Sequence, residues 1–174
     1  MRKSTVIILA TMLFAAPTAA TTAFAAGSGG DNVPSCAAGQ VYDQKAKKCV
    51  PRSGSLDDGS LYATGRQLAL AGNYEEAIAV LSLVKDKSDV RVLNYLGYAH
   101  RKAGRLRVGI GYYQEAMQRD PNYTLVREYY GEAQLAMGDV GAAEAQLAEI
   151  AKRCGTGCEE YADLAAAIEA YKKS

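Results

Sequence analysis

Three glycines set the frame for this chain. Gly72, Gly104 and Gly138 recur at nearly equal intervals, each between two segments whose apolar residues return at helical spacing. Five positions beyond each lies a small residue, Ala77, Gly109 or Ala143, and nine beyond lies a large one, Leu81, Tyr113 or Leu147. Gly65, Gly97 and Gly131 recur seven positions before the turn glycines. A period of roughly 33 residues, broken by a glycine at its middle, is the pattern of stacked helical hairpins, because one hairpin cannot bury its apolar face alone. Small residues let paired helices approach, and large ones fill the groove that results.

The periodicity predicts seven helices, near 60–71, 74–85, 90–103, 106–119, 124–137, 140–153 and 158–172. Asn73 followed by Glu76, and Thr156 followed by Glu159, read as capping boxes at two helix starts. Asp120-Pro121 interrupts the chain between the second and third hairpins. On the seventh segment Tyr161, Leu164, Ala165, Ile168 and Tyr171 form one stripe, with Glu160, Asp163, Glu169 and Lys172 away from it. Such a helix covers the open end of a short stack. Gly109 and Gly111 share one helix, where each glycine costs about 1 kcal/mol relative to alanine. Gly109 occupies the small-residue position, whereas Gly111 has no such reason.

At Leu93-x-x-Leu96-Gly97…Gly104…Tyr113-x-x-Ala116…Asp120-Pro121 the sequence resembles the tetratricopeptide repeat family. The resemblance covers about residues 58–172, as repeats near 58–89, 90–123 and 124–157 and a capping helix near 158–172. It implies an all-α fold: a right-handed solenoid of three helix-turn-helix repeats plus a C-terminal capping helix, over a domain spanning 58–174. The first repeat is slightly short and lacks the terminal proline, and the third has Arg127 where the family carries a large apolar residue. His100 stands where the family carries a packed tyrosine, which favours a structural role over proton transfer.

The N-terminal segment, positions 1–25, reads differently. Arg2 and Lys3 precede an apolar run from Val6 to Ala16, followed by Pro17 and a stretch ending Ala23-Phe24-Ala25, the order of a secretory signal peptide cleaved after Ala25. The run is too short to span a bilayer, which takes roughly 20 residues. Cleavage would remove Arg2 and Lys3, taking the formal charge from +1 to −1, together with Phe14 and Phe24, while all 12 tyrosines remain. The four cysteines would then lie in an oxidising compartment, periplasmic or secreted, where an even count favours disulfides. Three pairings are open, and proximity favours Cys36–Cys49 and Cys154–Cys158. The former would close a small hairpin within a linker region spanning 26–57. It reads as a stapled knob, or else as a separate recognition module.

Near-neutral charge excludes the broad basic footprint of a nucleic-acid binder, and a single His leaves little for imidazole catalysis or metal binding. No cofactor, no metal and no catalytic residue is expected, and stable membrane insertion after cleavage is not. The leading expectation is a non-enzymatic adaptor of the bacterial cell envelope that binds a peptide segment of another envelope protein. A second is a self-associating helical module. The third is thiol-redox chemistry at Cys154 and Cys158, disfavoured by their three intervening residues and the lack of a βαβ pattern. In the family the first helix of each repeat lines a concave groove. Carried over, its positions fall on Tyr62 and Arg66, on Arg91, Asn94, Tyr98, Arg101 and Lys102, and on Leu125, Glu128, Glu132 and Leu135. Independently of the family, Arg91, Asn94, Tyr98 and Arg101 share one helix stripe. The resulting groove is mixed in charge and lacks the Lys/Asn/Arg carboxylate clamp of chaperone-binding relatives.

Overall fold

The computed structural model describes residues 33–52 and 56–174, so the expected signal peptide over 1–25 and its cleavage site lie outside the described residues. Among the described residues a two-stranded antiparallel hairpin, β1 (Gln40–Asp43) and β2 (Lys48–Pro51), precedes seven helices. These are α1 (Asp58–Leu70), α2 (Tyr74–Leu81), α3 (Val90–Lys102), α4 (Leu106–Arg119), α5 (Thr124–Ala136), α6 (Val140–Cys154) and α7 (Glu159–Lys172). Consecutive pairs α1/α2, α3/α4 and α5/α6 form hairpins, and α7 packs on α5 and α6 at the end of the stack.

The hairpins turn on the predicted glycines. Gly72, Gly104 and Gly138 have φ of 84°, 82° and 82°, a region open to glycine at no steric cost. There the next residue can reach back along the helix: Asn73, Arg105 and Asp139 each donate a backbone N–H to the carbonyl five positions earlier, at 2.9 Å. The starts of the helices differ from the sequence reading. Asn73 makes no side-chain cap, and α7 is preceded by Cys158 rather than Thr156. Glu76 is drawn away by the N-terminal hairpin, accepting the Gly39 N–H at 2.8 Å. The capping carboxylates are instead Asp57, Asp89 and Asp139, which accept from Ser60, Arg91 and Ala142. Helix α2 also ends at Leu81, earlier than expected, and the chain beyond it is held by Asp58, whose carboxylate accepts the Lys85 and Asp86 N–H groups at 3.0 Å.

Glycine sets how closely α3 and α4 approach. A Cβ on Gly109 would lie 2.6 Å from the Gly97 carbonyl oxygen, and one on Gly97 would lie 2.5 Å from the Tyr113 ring. Gly65 meets Leu81 in the same way, whereas the three atoms nearest a Cβ on Gly131 all belong to Leu164 rather than to Leu147. Leu164 of α7 fills that space, leaving Leu147 half-buried, because the last hairpin has no following repeat and the capping helix packs directly on α5. Two apolar clusters result: one from β1 through α5, and a smaller one of Leu135, Ala143, Ile150, Leu164 and Ile168.

Both ends of the stack are therefore covered. Val41 of β1 is fully buried in the first cluster, and the Gln44 N–H bonds the Ser60 hydroxyl at 3.0 Å, so the Cys36–Cys49 hairpin is packed onto α1 rather than held apart as a separate module. Arg127, which stands where the resemblance places a large apolar residue, satisfies its guanidinium internally. Its Nε and Nη2 donate to the Pro121 carbonyl and its Nη1 to Gln146, while Arg153 reaches the same carbonyl. Four donors thus find acceptors where the chain breaks at Asp120-Pro121, which makes a buried arginine tolerable. His100 is stacked on Tyr112 and accepts the Arg105 Nε–H at 2.9 Å, and burial and that guanidinium lower its pKa. This is a packed, neutral imidazole.

Candidate functional site: the inner helical face

Helices α1, α3, α5 and α7 touch in succession, whereas the even-numbered helices make little or no contact with one another. The stack therefore curves with the odd-numbered helices on its inner side. Across that side runs a ladder of tyrosines. Tyr62 of α1 meets Tyr95 of α3 edge-on at 6.1 Å between ring centres, Tyr95 meets Tyr98 and Tyr129 at 6.3 Å, and Tyr98 lies 5.0 Å from Tyr129 of α5. Such edge and tilted contacts contribute beyond the buried area, about 0.5–1.5 kcal/mol each.

Arginines lie over the rings. The Arg91 guanidinium sits 4.7 Å above Tyr62, that of Arg66 lies 5.5 Å from Tyr95 while its Nε donates to the Tyr95 hydroxyl at 2.9 Å, and that of Arg101 lies 5.6 Å from Tyr98. Arg101 also donates to the Tyr113 hydroxyl at 3.3 Å and to Glu132 at 2.5 Å. Burial, reinforced by neighbouring Tyr95, pushes the Tyr62 phenol up to about 12, and burial raises those of Tyr98 and Tyr129 as well. These hydroxyls stay protonated and can donate hydrogen bonds.

The expected groove residues do not all present themselves alike. Tyr62, Arg66 and Tyr98 are half-buried within the ladder, and Arg91 is largely exposed, its guanidinium pinned by Asp89. Lys102 is exposed beside Tyr98, and Leu125 is half-buried against the first cluster. Asn94 is a correction: it is completely buried and neither amide atom finds a hydrogen-bond partner among the described residues, so it does not offer its amide to a ligand. The stripe placing it with Arg91 and Tyr98 is real, but α3 is embraced by α1, α4 and α5, and the buried sector is wider than a surface helix would have. Leu135 is likewise buried, in the second cluster. Arg101 has only 10% of its side chain exposed and acts as a tie between helices.

Glu128 has 5% exposure, and its carboxyl accepts no hydrogen bond among the described residues. Burial, joined by Glu132 on its own helix and Asp163, Glu160 and Glu159 on α7, pushes its pKa up to about 9. Asp163 is raised too, by burial and the neighbouring acids Glu159, Glu132 and Glu160. The inner face is thus aromatic and cationic over α1 and α3 and acidic between α5 and α7.

Tyr95 and Tyr129, central to the ladder, are missing from the sequence-based set. They stand at equivalent positions of successive repeats, which was the available signal. Cys154 and Cys158 are joined in a disulfide at the α6–α7 turn, with Glu160 nearby, and no free cysteine occurs among the described residues. No helix among the described residues is long and apolar enough to cross a membrane.

Comparison with known proteins agrees with this geometry. Residues 100–168 match the tetratricopeptide repeat family model. The fold is similar to that of the first TPR of Spaghetti (RPAP3) bound to HSP90 peptide SRMEEVD, at 17% identity and TM-score 0.57 over 68% of this chain and 94% of that one. It is similar also to the Yersinia enterocolitica type III secretion chaperone SycD in complex with a peptide of the translocator YopD, at 22% identity and TM-score 0.57 over 66% and 92% of the two chains. A third similar structure is PcrH in complex with the chaperone binding region of PopB, at 22% identity and TM-score 0.55, covering 66% of this chain and 93% of that one. No curated protein sequence matches the chain. Among the described residues the fold is three helical hairpins with a capping helix, similar to the tetratricopeptide structures and preceded by a disulfide-closed β-hairpin.

Proposed function

We propose that the protein is an exported, non-enzymatic adaptor of the bacterial cell envelope that binds a peptide segment of a partner along its inner helical face. The observation that carries this reading is the tyrosine ladder, which runs across α1, α3 and α5 with its outer members Tyr62 and Tyr98 half-buried. Rigid rings with polar tips give contact area at low entropic cost, and concave surfaces are where segments are buried. Peptide-bound structures of similar fold support it. Tyr62, Arg66, Arg91 and Tyr98 would touch the partner directly, Glu128 and Glu132 would line its acidic end, Arg101 would hold the helices in register, and Asn94 would lie beneath the surface.

Export rests on the Arg2-Lys3 start, the short apolar run and Ala23/Ala25, with residues 26–57 carrying the hairpin and 58–174 the repeats. A photo-cross-linking residue at position 98, used in the native envelope, tests the adaptor reading. Capture of a distinct envelope protein supports it. Capture of other copies of the same chain would replace it with self-association, and capture from the β-hairpin alone would move the binding surface outside the repeats.

A further inference from the structure

The acidic end of the inner face is short of counter-charge. Among the described residues no ion pair reaches Glu128, Glu159, Glu160 or Asp163, and of the eight ion pairs only Arg101–Glu132 touches this end. Arg101, the cation tied into this end, is committed to Glu132 and Tyr113. The basic residues of α7 stand at its other end, where Lys172 is held by Glu144 and Lys173 by Glu169. Glu128 in particular is almost wholly buried with no hydrogen-bond partner among the described residues, yet its residual exposure leaves a path from outside. A buried carboxyl normally has donors, since leaving it unmatched costs more than any single hydrogen bond returns.

We propose that this end of the face, walled by Glu128 and Glu132 of α5 and by Glu159, Glu160 and Asp163 of α7, is a subsite for one arginine or lysine side chain of the bound segment. The occupant follows from the chemistry. Carboxyl groups arrayed along two helices, with Glu128 releasing its proton to solvent on pairing, match a spread, multi-donor cation at the tip of a long apolar stem, whose methylenes would lie along Tyr129. A metal ion fits less well, because no three of these five carboxylates converge within shared ligand distance of one another; the group containing Glu160 that does so is completed by two disulfide-bonded sulfurs. With Arg66 and Arg91 at the far side of the ladder, the same arrangement would orient the segment, its cation toward α7 and any acidic residue toward α1.

This subsite rests on the adaptor reading, but it can be tested without the partner. The full exported chain, with glutamate carboxyls labelled with carbon-13, would be titrated with acetyl-arginine amide, and with acetyl-norleucine amide as the neutral control. We expect a saturable response at Glu128 to the arginine probe with a fall of about one unit or more in its pKa, as a paired guanidinium produces. The norleucine probe should give none, and Glu128→Gln should abolish the response at the remaining carboxyls of α7 while the helical circular dichroism is kept. No response at about 10 mM probe, where even millimolar affinity would saturate most sites, overturns the subsite, as does equal response to norleucine or survival in Glu128→Gln. Failure here leaves the cross-link at position 98 to decide the adaptor reading. Conversely, a captured segment that binds the ladder but contains no arginine or lysine would sink the subsite and leave the adaptor standing.

Discussion

The two ends of the inner face are built from the same repeat yet reach opposite electrostatic outcomes. Over α1 and α3, Arg66, Arg91 and Arg101 each lie against a tyrosine ring and each donates to an oxygen of the chain. Between α5 and α7 the carboxylates have one another for neighbours, and Glu128 has no donor among the described residues. Glu128 occupies in the third repeat the position that Asn94 occupies in the second, and both are buried with no hydrogen-bond partner among the described residues. Equivalent positions in a solenoid therefore share a degree of burial, while what faces them is set by the next element. For Asn94 that is another repeat, and for Glu128 it is a capping helix whose first turn carries two more acids.

The two ends should respond most differently to pH. Glu128 keeps its proton in the folded chain up to about 9, whereas its ordinary value is 4.5. Below the ordinary value both states are protonated and nothing is lost. Between the two values only the unfolded chain has released the proton, so stability falls as pH rises, by an amount on the order of a few kcal/mol in all. Asp163 contributes in the same direction, while Asp57 and Asp89, held below their usual range by hydrogen bonds, weaken the fold only in acid. Thermal melts from about pH 5 to about pH 9 should show a declining midpoint, and Glu128→Gln should flatten the decline. An unchanged slope in that variant would mean that the acidic end is better solvated than its burial indicates.

At the junction of the two ends, Arg101→Ala should destabilise the fold by about 1–3 kcal/mol, since it strands Glu132 among like charges and removes the donor to the Tyr113 hydroxyl. Arg91→Ala, at an exposed pair, should stay within about 0.5 kcal/mol. Urea unfolding of the two variants side by side decides this; equal losses would contradict the contrast between a tying and an exposed arginine.

Within the cationic end, Tyr98→Ala should weaken capture of the partner by about 1 kcal/mol or more, and Lys102→Ala should act mainly through salt dependence. Affinity measured at two ionic strengths separates them, provided the Tyr98 variant keeps its helical signal. The smallest effect is a control on the outer layer. A Cβ on Gly111 meets no atom within 4 Å, so Gly111→Ala should stabilise by up to about 1 kcal/mol, whereas Gly109→Ala should destabilise because its Cβ would press on the Gly97 carbonyl. Differential melting of the pair reads both signs.

The repeat itself was legible from glycine spacing alone, because a reversal at positive φ and a helix approach without a Cβ are constraints that a residue type expresses directly. Seven helices and the two cysteine pairs follow from local pattern in the same way. Local pattern failed where a longer-range partner competed. Glu76 serves the β-hairpin rather than a capping box, Leu164 of the capping helix stands nearest Gly131, and Asn94 is sealed beneath a surface that its stripe had placed it on. The ladder itself depended on Tyr95 and Tyr129 meeting across helices of different repeats, and the unpaired Glu128 on the approach of α7. A helix face records which side turns inward, but how deep that side lies and which charge stands opposite are properties of the neighbouring chain segments, and only their packing decides them.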